Sequence, residues 1–203
     1  MLSRRLLRIK VVKALFAHFK SDADNMIASE KTLMASIDKS YDLFFQLLAL
    51  PVELVRYARQ RQEIARAKKL PTFEDLNPNT RFVDNAVIRT IANSDAVNDY
   101  LAVRKLGWEH YPDFIRTLYG QLIESAYFTE YMAQESGSFE LDRRFVEDFF
   151  KELQNCDALD TVLEEISILW SDDLPYVLVM ILRARGALRP AHTELKIPPK
   201  FKS

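Results

Sequence analysis

Residues 33–50 read LMASIDKSYDLFFQLLAL, and the spacing of their apolar side chains decides the fold class. Leu33, Ile37, Tyr41, Phe44 and Leu48 recur every three or four residues, which places them on one stripe of an α-helix. Leucine and phenylalanine are among the residues most often found inside proteins. The stretch therefore predicts a helix that packs along one face against a hydrophobic core.

The rest of the chain has the composition of an all-helical protein. Only four glycines occur in 203 residues, no stretch alternates polar and apolar residues as a strand would, and good helix formers dominate. The sequence predicts an all-α, multi-helix bundle. The expected helices span residues 3–19 behind a Ser3 cap, 29–50 behind a Ser29 cap with a continuation over 52–69, 80–92, 95–105, 112–133, 142–155, 157–170 and 173–185.

Prolines and glycines mark the expected boundaries. Pro51 is predicted to kink or restart the second helix, residues 70–82 (LPTFEDLNPNTRF) read as a loop, and Gly186 is predicted to end the last helix. Residues 1–190 then form one helical region. Residues 191–203 read as a basic, linker-like tail, which predicts that a further C-terminal segment is missing from this chain.

The bulk composition indicates a globular protein and excludes several classes. Hydrophobic residues make up 48% and charged residues 28% of the chain, and no segment approaches the roughly 18 apolar residues of a membrane span. The single cysteine, Cys156, cannot form an internal disulfide. A cytoplasmic location is expected, although the basic, acid-free start leaves a mitochondrial transit peptide open.

No catalytic, metal or cofactor site is predicted. His18, His110 and His192 lack metal-ligand spacing, the glycines are too scattered for a phosphate-binding loop, and Cys156 has no basic neighbour to activate it. Adjacent carboxylates such as Asp172 and Asp173 are interpreted as the start of a helix, where the dipole favours them. The protein is expected not to be an enzyme.

Charge is unevenly distributed along the chain. Residues 1–21 carry six basic and no acidic side chains, and residues 183–203 carry six basic side chains against Glu194 alone. The remaining residues, 22–182, hold 16 basic and 28 acidic groups, a net charge of −12. Two positive ends on a negative body indicate a polyanionic partner at the ends.

The arginines of the first helix suggest what the basic end does. Arg4, Arg5 and Arg8 fall within an arc of about 100° at the helix start, where the macrodipole disfavours cations, and Lys10 and Lys13 lie across from them. Unpaired helix amides and bidentate guanidinium groups both favour phosphate oxygens. The arginine-rich helix start therefore fits phosphate binding, and a solvated helix start without a ligand stays open as the alternative.

The remainder of the first helix is apolar nearly all round. Ile9, Val12, Phe16 and Phe19 lie on one side, with leucines flanking them. A helix of this kind is normally buried. The sequence thus predicts a core helix whose first turn and a half protrudes.

Two stretches resemble the NusB transcription antitermination family. Residues 4–16, RRLLRIKVVKALF, resemble the arginine-rich family start, in which Ala14, Leu15 and Phe16 fill an Ala-Leu-aromatic triplet. Residues 159–183, LDTVLEEISILWSDDLPYVLVMILR, resemble the family's helix, tryptophan, short loop and Val-x-x-x-Ile-Leu-Arg run. Residues 51–135 have no counterpart in compact members, and the closing portion of the family is lacking, so the chain resembles an enlarged and truncated member.

The resemblance implies an all-helical module that binds boxA-like single-stranded RNA and a small-subunit ribosomal protein, NusE, and acts on the transcribing RNA polymerase complex. It assigns the RNA contact to Arg4, Arg5 and Arg8 and, less directly, to Lys10 and Lys13. Two alternatives stay open. A NusB-like domain also anchors a ribosomal RNA cytosine methyltransferase to its substrate. A helical adaptor could instead bind a protein through residues 109–182, which carry 16 acidic and four basic groups.

Overall fold

The computed structural model describes residues 3–21, 25–170 and 172–184, which form ten α-helices and a 3₁₀ turn and contain no strand. The helices are α1 (Arg4–Lys20), α2 (Met26–Arg66), α3 (Phe73–Leu76), α4 (Ala86–Ala92), α5 (Asp95–Arg104), α6 (Pro112–Glu124), α7 (Ala126–Met132), α8 (Phe139–Glu152), α9 (Asp157–Ile166) and α10 (Leu174–Ala184), with the 3₁₀ turn at Leu153–Asn155. The predicted all-α, multi-helix bundle is confirmed.

Helix α2 is the central helix of the bundle. Its 41 residues extend over about 62 Å, and it packs against α1, α3, α4, α5, α6 and α10. Burial begins at Ile37 and continues to Ala58, and the leucines between them are almost fully inaccessible to solvent. Four of the five stripe residues, Ile37, Tyr41, Phe44 and Leu48, therefore lie in the core. Leu33 is only partly buried against it, and residues 26–36 contain no buried side chain.

The second half of the core is built by α4, α6, α7, α8 and α9. Phe145 of α8 stacks on Tyr131 of α7 with ring centroids 4.3 Å apart and meets Phe82 and Phe128 edge to face. Five further aromatic side chains of the core are at most 3% exposed: Phe44, Phe45, Phe149, Phe150 and Trp170.

Two expectations about α2 are wrong. The helix is capped by Asn25, whose side chain accepts the Ala28 N–H, and not by Ser29. It also continues through Pro51 as one helix, so the expected restart at this proline is wrong, and the alternative of a kink stays a prediction. Proline removes one backbone donor, but Leu50, Pro51 and Leu54 are all buried against neighbouring helices, and this packing holds the helix together.

Other helix boundaries differ from the expected ones because side chains form hydrogen bonds with backbone groups at the helix ends. Residues 70–82 contain a short helix, α3, because Thr72 and Asp75 form a capping box. The expected helix over 112–133 is two helices, because Ser125 takes an extended conformation, donates to the Leu122 carbonyl and accepts the Phe128 N–H. The expected helix over 80–92 begins only at Ala86, behind the Asn85 cap. Gly186 and residues 191–203 lie outside the described residues.

Candidate nucleic-acid interface

The start of α1 carries backbone N–H groups that lie outside the hydrogen bonds within the helix. Ser3 caps the helix, its Oγ accepting the Leu6 N–H at 3.1 Å and its carbonyl accepting the Leu7 N–H. Among the described residues, no acceptor pairs with the amides of Arg4 and Arg5. The helix start thus combines the positive end of the dipole with N–H groups that have no acceptor in the described part of the chain.

Arg4, Arg5 and Arg8 are all exposed at this helix start. Within residues 3–21, 25–170 and 172–184, no carboxylate lies within ion-pair distance of any of the three guanidinium groups. The first turn of α1 contains no acidic residue either. These arginines are therefore placed where an anion in solution can reach them, and their contact with RNA stays a prediction.

Lys10 has a different role from the one expected. Its side chain is only 6% exposed, and its Nζ lies 2.8 Å from Oδ2 of Asp173, just before α10. The same Oδ2 accepts a hydrogen bond from Ser40 Oγ of α2 at 2.6 Å. Lys10 therefore joins α1 to α2 and α10, and its buried ammonium group is not available to a nucleic acid.

Lys13 lies one turn further along the helix and pairs with Asp172 at the surface. Both side chains are more than half exposed. An exposed pair of this kind contributes at most about 1 kcal/mol and exchanges readily with other partners. Lys13 therefore stays a candidate for RNA contact, although the structure gives it a carboxylate neighbour.

Sequence reasoning did not find the carboxylates that meet these lysines. Asp172 and Asp173 do precede α10, as their interpretation as a helix start requires. However, the 163 residues between Lys10 and Asp173 hide their pairing from any local pattern. The sequence offered one weak signal of this pairing. Lys10 and Lys13 are two cations three residues apart, and Asp172 and Asp173 are two adjacent anions that could pair with them.

The expected burial of α1 is wrong for most of its length. Only Leu6 and Lys10 are buried, whereas Val12, Phe16 and Phe19 are 65%, 65% and 76% exposed. The helix packs on α2 through its opposite side, where His18 Nδ1 lies 2.8 Å from Ser29 Oγ. The apolar residues that suggested a core helix therefore form an open face.

A second basic stretch lies at the C-terminal end of α2 and just beyond it: Arg56, Arg59, Arg61, Arg66, Lys68 and Lys69. Among the described residues, two of these six pair with a carboxylate. Arg56 pairs with Glu53 at 2.6 Å, Arg59 donates to the Val83 carbonyl at 3.2 Å, and Lys68 pairs with Asp75 at 3.0 Å. A cavity of about 940 Å³ opens beside this stretch, between α2, α4 and residues 108–115. Its charged lining is balanced, with three arginines and three glutamates: Arg56, Arg59, Arg89, Glu53, Glu63 and Glu109. This balance does not favour an anionic ligand.

Other chemistry is sparse in the described part of the chain. No group of three or more His, Cys, Asp or Glu residues there could hold a metal ion. Burial raises the pKa of the Cys156 thiol, which disfavours the reactive thiolate. None of the described helices combines the length and apolar character that crossing a membrane requires.

Comparison of the chain with models of protein families, with curated proteins and with solved structures finds no match. The resemblance to the NusB family therefore rests on residues 4–16 and 159–183 alone. The geometry adds one point about these stretches: Lys10 of the first contacts Asp173 of the second. The two stretches that carry the resemblance are thus neighbours in the fold.

Proposed function

We propose that this chain is an RNA-binding protein of the transcription antitermination type, similar in role to NusB. In this proposal, Arg4, Arg5 and Arg8 bind single-stranded, boxA-like RNA. The observation that carries the proposal is the exposed state of these three arginines, which have no carboxylate partner among the described residues. Arg4 and Arg5 lie in the first turn of α1, where the helix dipole opposes a cation at a cost of roughly 0.3–1 kcal/mol each. A bound phosphate would offset that cost.

The chemistry of the helix start suits phosphate better than a carboxylate side chain. Guanidinium groups form two parallel hydrogen bonds to phosphate oxygens, and the amides of Arg4 and Arg5, which have no acceptor within residues 3–21, 25–170 and 172–184, add further donors. Phosphate contacts position a strand without reading its sequence. In this proposal, any preference for boxA-like RNA needs additional contacts to bases.

The test is the salt dependence of binding to a boxA-like single-stranded oligoribonucleotide. Removing one phosphate-binding cation should reduce the slope of log affinity against log salt by about 0.7. We expect Arg4→Ala with Arg5→Ala to weaken binding and to flatten the slope by roughly 1 to 1.5. Unchanged affinity and slope would overturn the proposal.

A matched control is available on α8. Arg143→Ala with Arg144→Ala removes the same charge from another adjacent pair, but Arg143 is already paired with Glu140 at 2.6 Å and Arg144 lies 3.9 Å from Asp148. This variant should leave the slope unchanged. An equal loss of affinity in both variants would mean that net charge, and not the start of α1, determines binding.

The excess of acidic residues over positions 109–182 favours a second candidate function, a helical adaptor that binds a basic protein such as a small-subunit ribosomal protein. Helix α9 carries four exposed carboxylates: Asp157, Asp160, Glu164 and Glu165. Partial desolvation and the negative charges of Asp157 and Glu164 raise the pKa of Asp160. A cationic partner would relieve this repulsion. A pull-down with and without nuclease treatment tests the idea, since a protein adaptor keeps its partner when RNA is removed. Loss of the partner on nuclease treatment would contradict it.

A further inference from the structure

The cavity of about 940 Å³ bordered by α2, α4 and residues 108–115, which we call the α2–α4 cavity, has the size of a ligand site. Sites for small molecules commonly measure about 300–1,000 Å³. None of the lining residues belongs to the stretches that resemble the NusB family, 4–16 and 159–183. The cavity is therefore a separate feature of the molecule, and neither candidate function uses it.

The floor of the cavity is apolar and is held in place by its neighbours. Ile88, Trp108 and Ile115 line it, and each is only 2% exposed. The indole Nε1 of Trp108 donates to the Gln46 carbonyl at 2.8 Å, and the Gln46 side chain exchanges two further hydrogen bonds with the backbone of Gly107. Because the floor is already fixed, a ligand that binds there has little of the protein to order.

Four charged side chains of the lining have no partner of opposite charge in the described part of the chain. Two are cations, Arg59 of α2 and Arg89 of α4, and two are anions, Glu63 of α2 and Glu109. The two other charged lining residues pair with each other. All four unpartnered groups are exposed, so they are accessible to a ligand in the cavity.

Two side-chain amides add uncharged polar groups to this lining. Gln60 of α2 and Asn93, directly after α4, both line the cavity and are exposed. An amide side chain donates and accepts hydrogen bonds at once, as a peptide bond does. The lining thus combines an apolar floor, both signs of charge and groups that can pair with a peptide backbone.

We propose that the α2–α4 cavity binds a short peptide with free termini and apolar side chains. The terminal carboxylate meets Arg59 and Arg89, the terminal ammonium group meets Glu63 and Glu109, and the apolar side chains lie on the floor beside Trp108. Both termini of a peptide are largely charged at neutral pH. A guanidinium group can hold a carboxylate through two parallel hydrogen bonds.

The charge of the lining disfavours other classes of ligand. A nucleic acid or another polyanion would bring negative charge against the two glutamates, and a cation would meet the two arginines. An uncharged apolar ligand would cover charged groups without pairing with them. A peptide with free termini supplies both charges and an apolar body in one small molecule.

The test uses the tripeptide Leu-Phe-Leu in four forms: with free termini, acetylated, amidated, and blocked at both ends. We expect the free form to bind most tightly and each block to weaken binding by roughly two- to fivefold, the effect of losing an exposed ion pair. An NMR titration also locates the site. The indole N–H resonance of Trp108 should shift, whereas that of Trp170, which lies outside the cavity and donates to the Lys39 carbonyl, should not.

Two double substitutions assign the charges. Arg59→Gln with Arg89→Gln should remove the preference for the free carboxylate and keep the preference for the free ammonium group. Glu63→Gln with Glu109→Gln should do the reverse. All four side chains are exposed, so both variants should fold, and circular dichroism checks this.

Matched controls change the same kinds of charge outside the cavity. Arg66→Gln with Lys69→Gln removes two exposed cations that have no carboxylate partner among the described residues. Glu124→Gln with Glu130→Gln removes two exposed carboxylates from α6 and α7. Both controls should bind the four tripeptides as the unaltered chain does.

Three results would overturn the proposal. Equal binding of the four tripeptide forms would show that the cavity does not recognise charged termini. A shift of the Trp170 resonance without a shift of the Trp108 resonance would place the peptide elsewhere. Tighter binding of Lys-Leu-Phe-Leu-Glu, blocked at both ends, than of the free tripeptide would mean that the cavity takes a segment of a longer chain. RNA binding at α1 is independent of all three results.

Discussion

Lys10 shows how one residue can connect three helices. Its ammonium group meets Asp173 beside α10, and Ser40 of α2 donates to the same carboxylate oxygen. All three side chains are buried, so the charges have little access to water. Breaking such a pair is costly because the remaining charge stays buried without its partner.

We expect Lys10→Met to lower the free energy of unfolding by about 3–5 kcal/mol, because it leaves the buried Asp173 carboxylate with Ser40 as its remaining partner among the described residues. Lys13→Met breaks the neighbouring exposed pair with Asp172 and should cost less than about 1 kcal/mol. Urea denaturation of both variants measures the difference. Equal decreases in stability would show that burial of the Lys10 pair does not matter.

A double substitution checks the cause of the destabilisation. Lys10→Met with Asp173→Ala removes both charges, and Ser40 Oγ keeps an alternative acceptor in the Ser36 carbonyl at 3.2 Å. This variant should be more stable than Lys10→Met alone, because no unpaired charge remains. A further decrease in stability would point to poorer packing instead.

At the scale of the element, caps decide where the helices of this bundle begin and end. Asn85 is 1% exposed, and its Oδ1 accepts the N–H groups of Val87 and Ile88, both at 3.0 Å. Its Nδ2 donates to the Tyr131 hydroxyl at 3.1 Å, which connects α4 to α7. The cap therefore serves the helix start and the packing between helices together.

Asn85→Ala should lower the free energy of unfolding by about 2–3 kcal/mol, because it removes the cap and leaves buried polar groups unpaired. Asn25→Ala, at the start of α2, offers a comparison. Asn25 is exposed and caps through a single bond to the Ala28 N–H, so about 1 kcal/mol or less is expected. Chemical denaturation distinguishes the two, and a similar cost for both would contradict the role given to burial.

At the scale of the whole molecule, tyrosines recur in the contacts between helices. Burial raises the pKa of Tyr127 to about 12 and raises the pKa values of four others: Tyr41, Tyr100, Tyr119 and Tyr131. For Tyr100 and Tyr131, hydrogen bonds to Asp42 and Asp142 add to the effect. The folded protein thus holds these phenols in the neutral form.

The protein should therefore lose stability at alkaline pH. Tyrosines in the unfolded chain ionise near pH 10, whereas the folded pKa values are higher, so the folded state binds more protons between these values. The tyrosine contribution is fully present below about pH 10 and is lost as pH rises to about 12. Urea midpoints measured from pH 8 to pH 12 should fall over this range, less steeply for Tyr127→Phe. A constant midpoint would contradict the prediction.

The sequence alone predicts the fold class of this protein and the position of its first helix. The scarcity of glycine and the stripe over residues 33–50 determine an all-helical fold, because helical periodicity is a local property. The first helix runs from Arg4 to Lys20, close to its expected bounds, and Arg4, Arg5 and Arg8 lie exposed at its start. Local spacing was enough for these features, because they depend on residues within a few turns of one another.

Only the tertiary structure decided which face of α1 is covered and what Lys10 does. Apolar residues and lysines can each occupy a buried or an exposed position. Which side of α1 is buried depends on the contact with α2, and the burial of Lys10 depends on Asp173, which is 163 residues away in the chain. The structure therefore buries Lys10, which the family resemblance assigned to RNA, and exposes two phenylalanines that the helical pattern assigned to the core. The physical reason is that burial and ion pairing depend on long-range contacts, whereas the periodicity that reveals a helix does not.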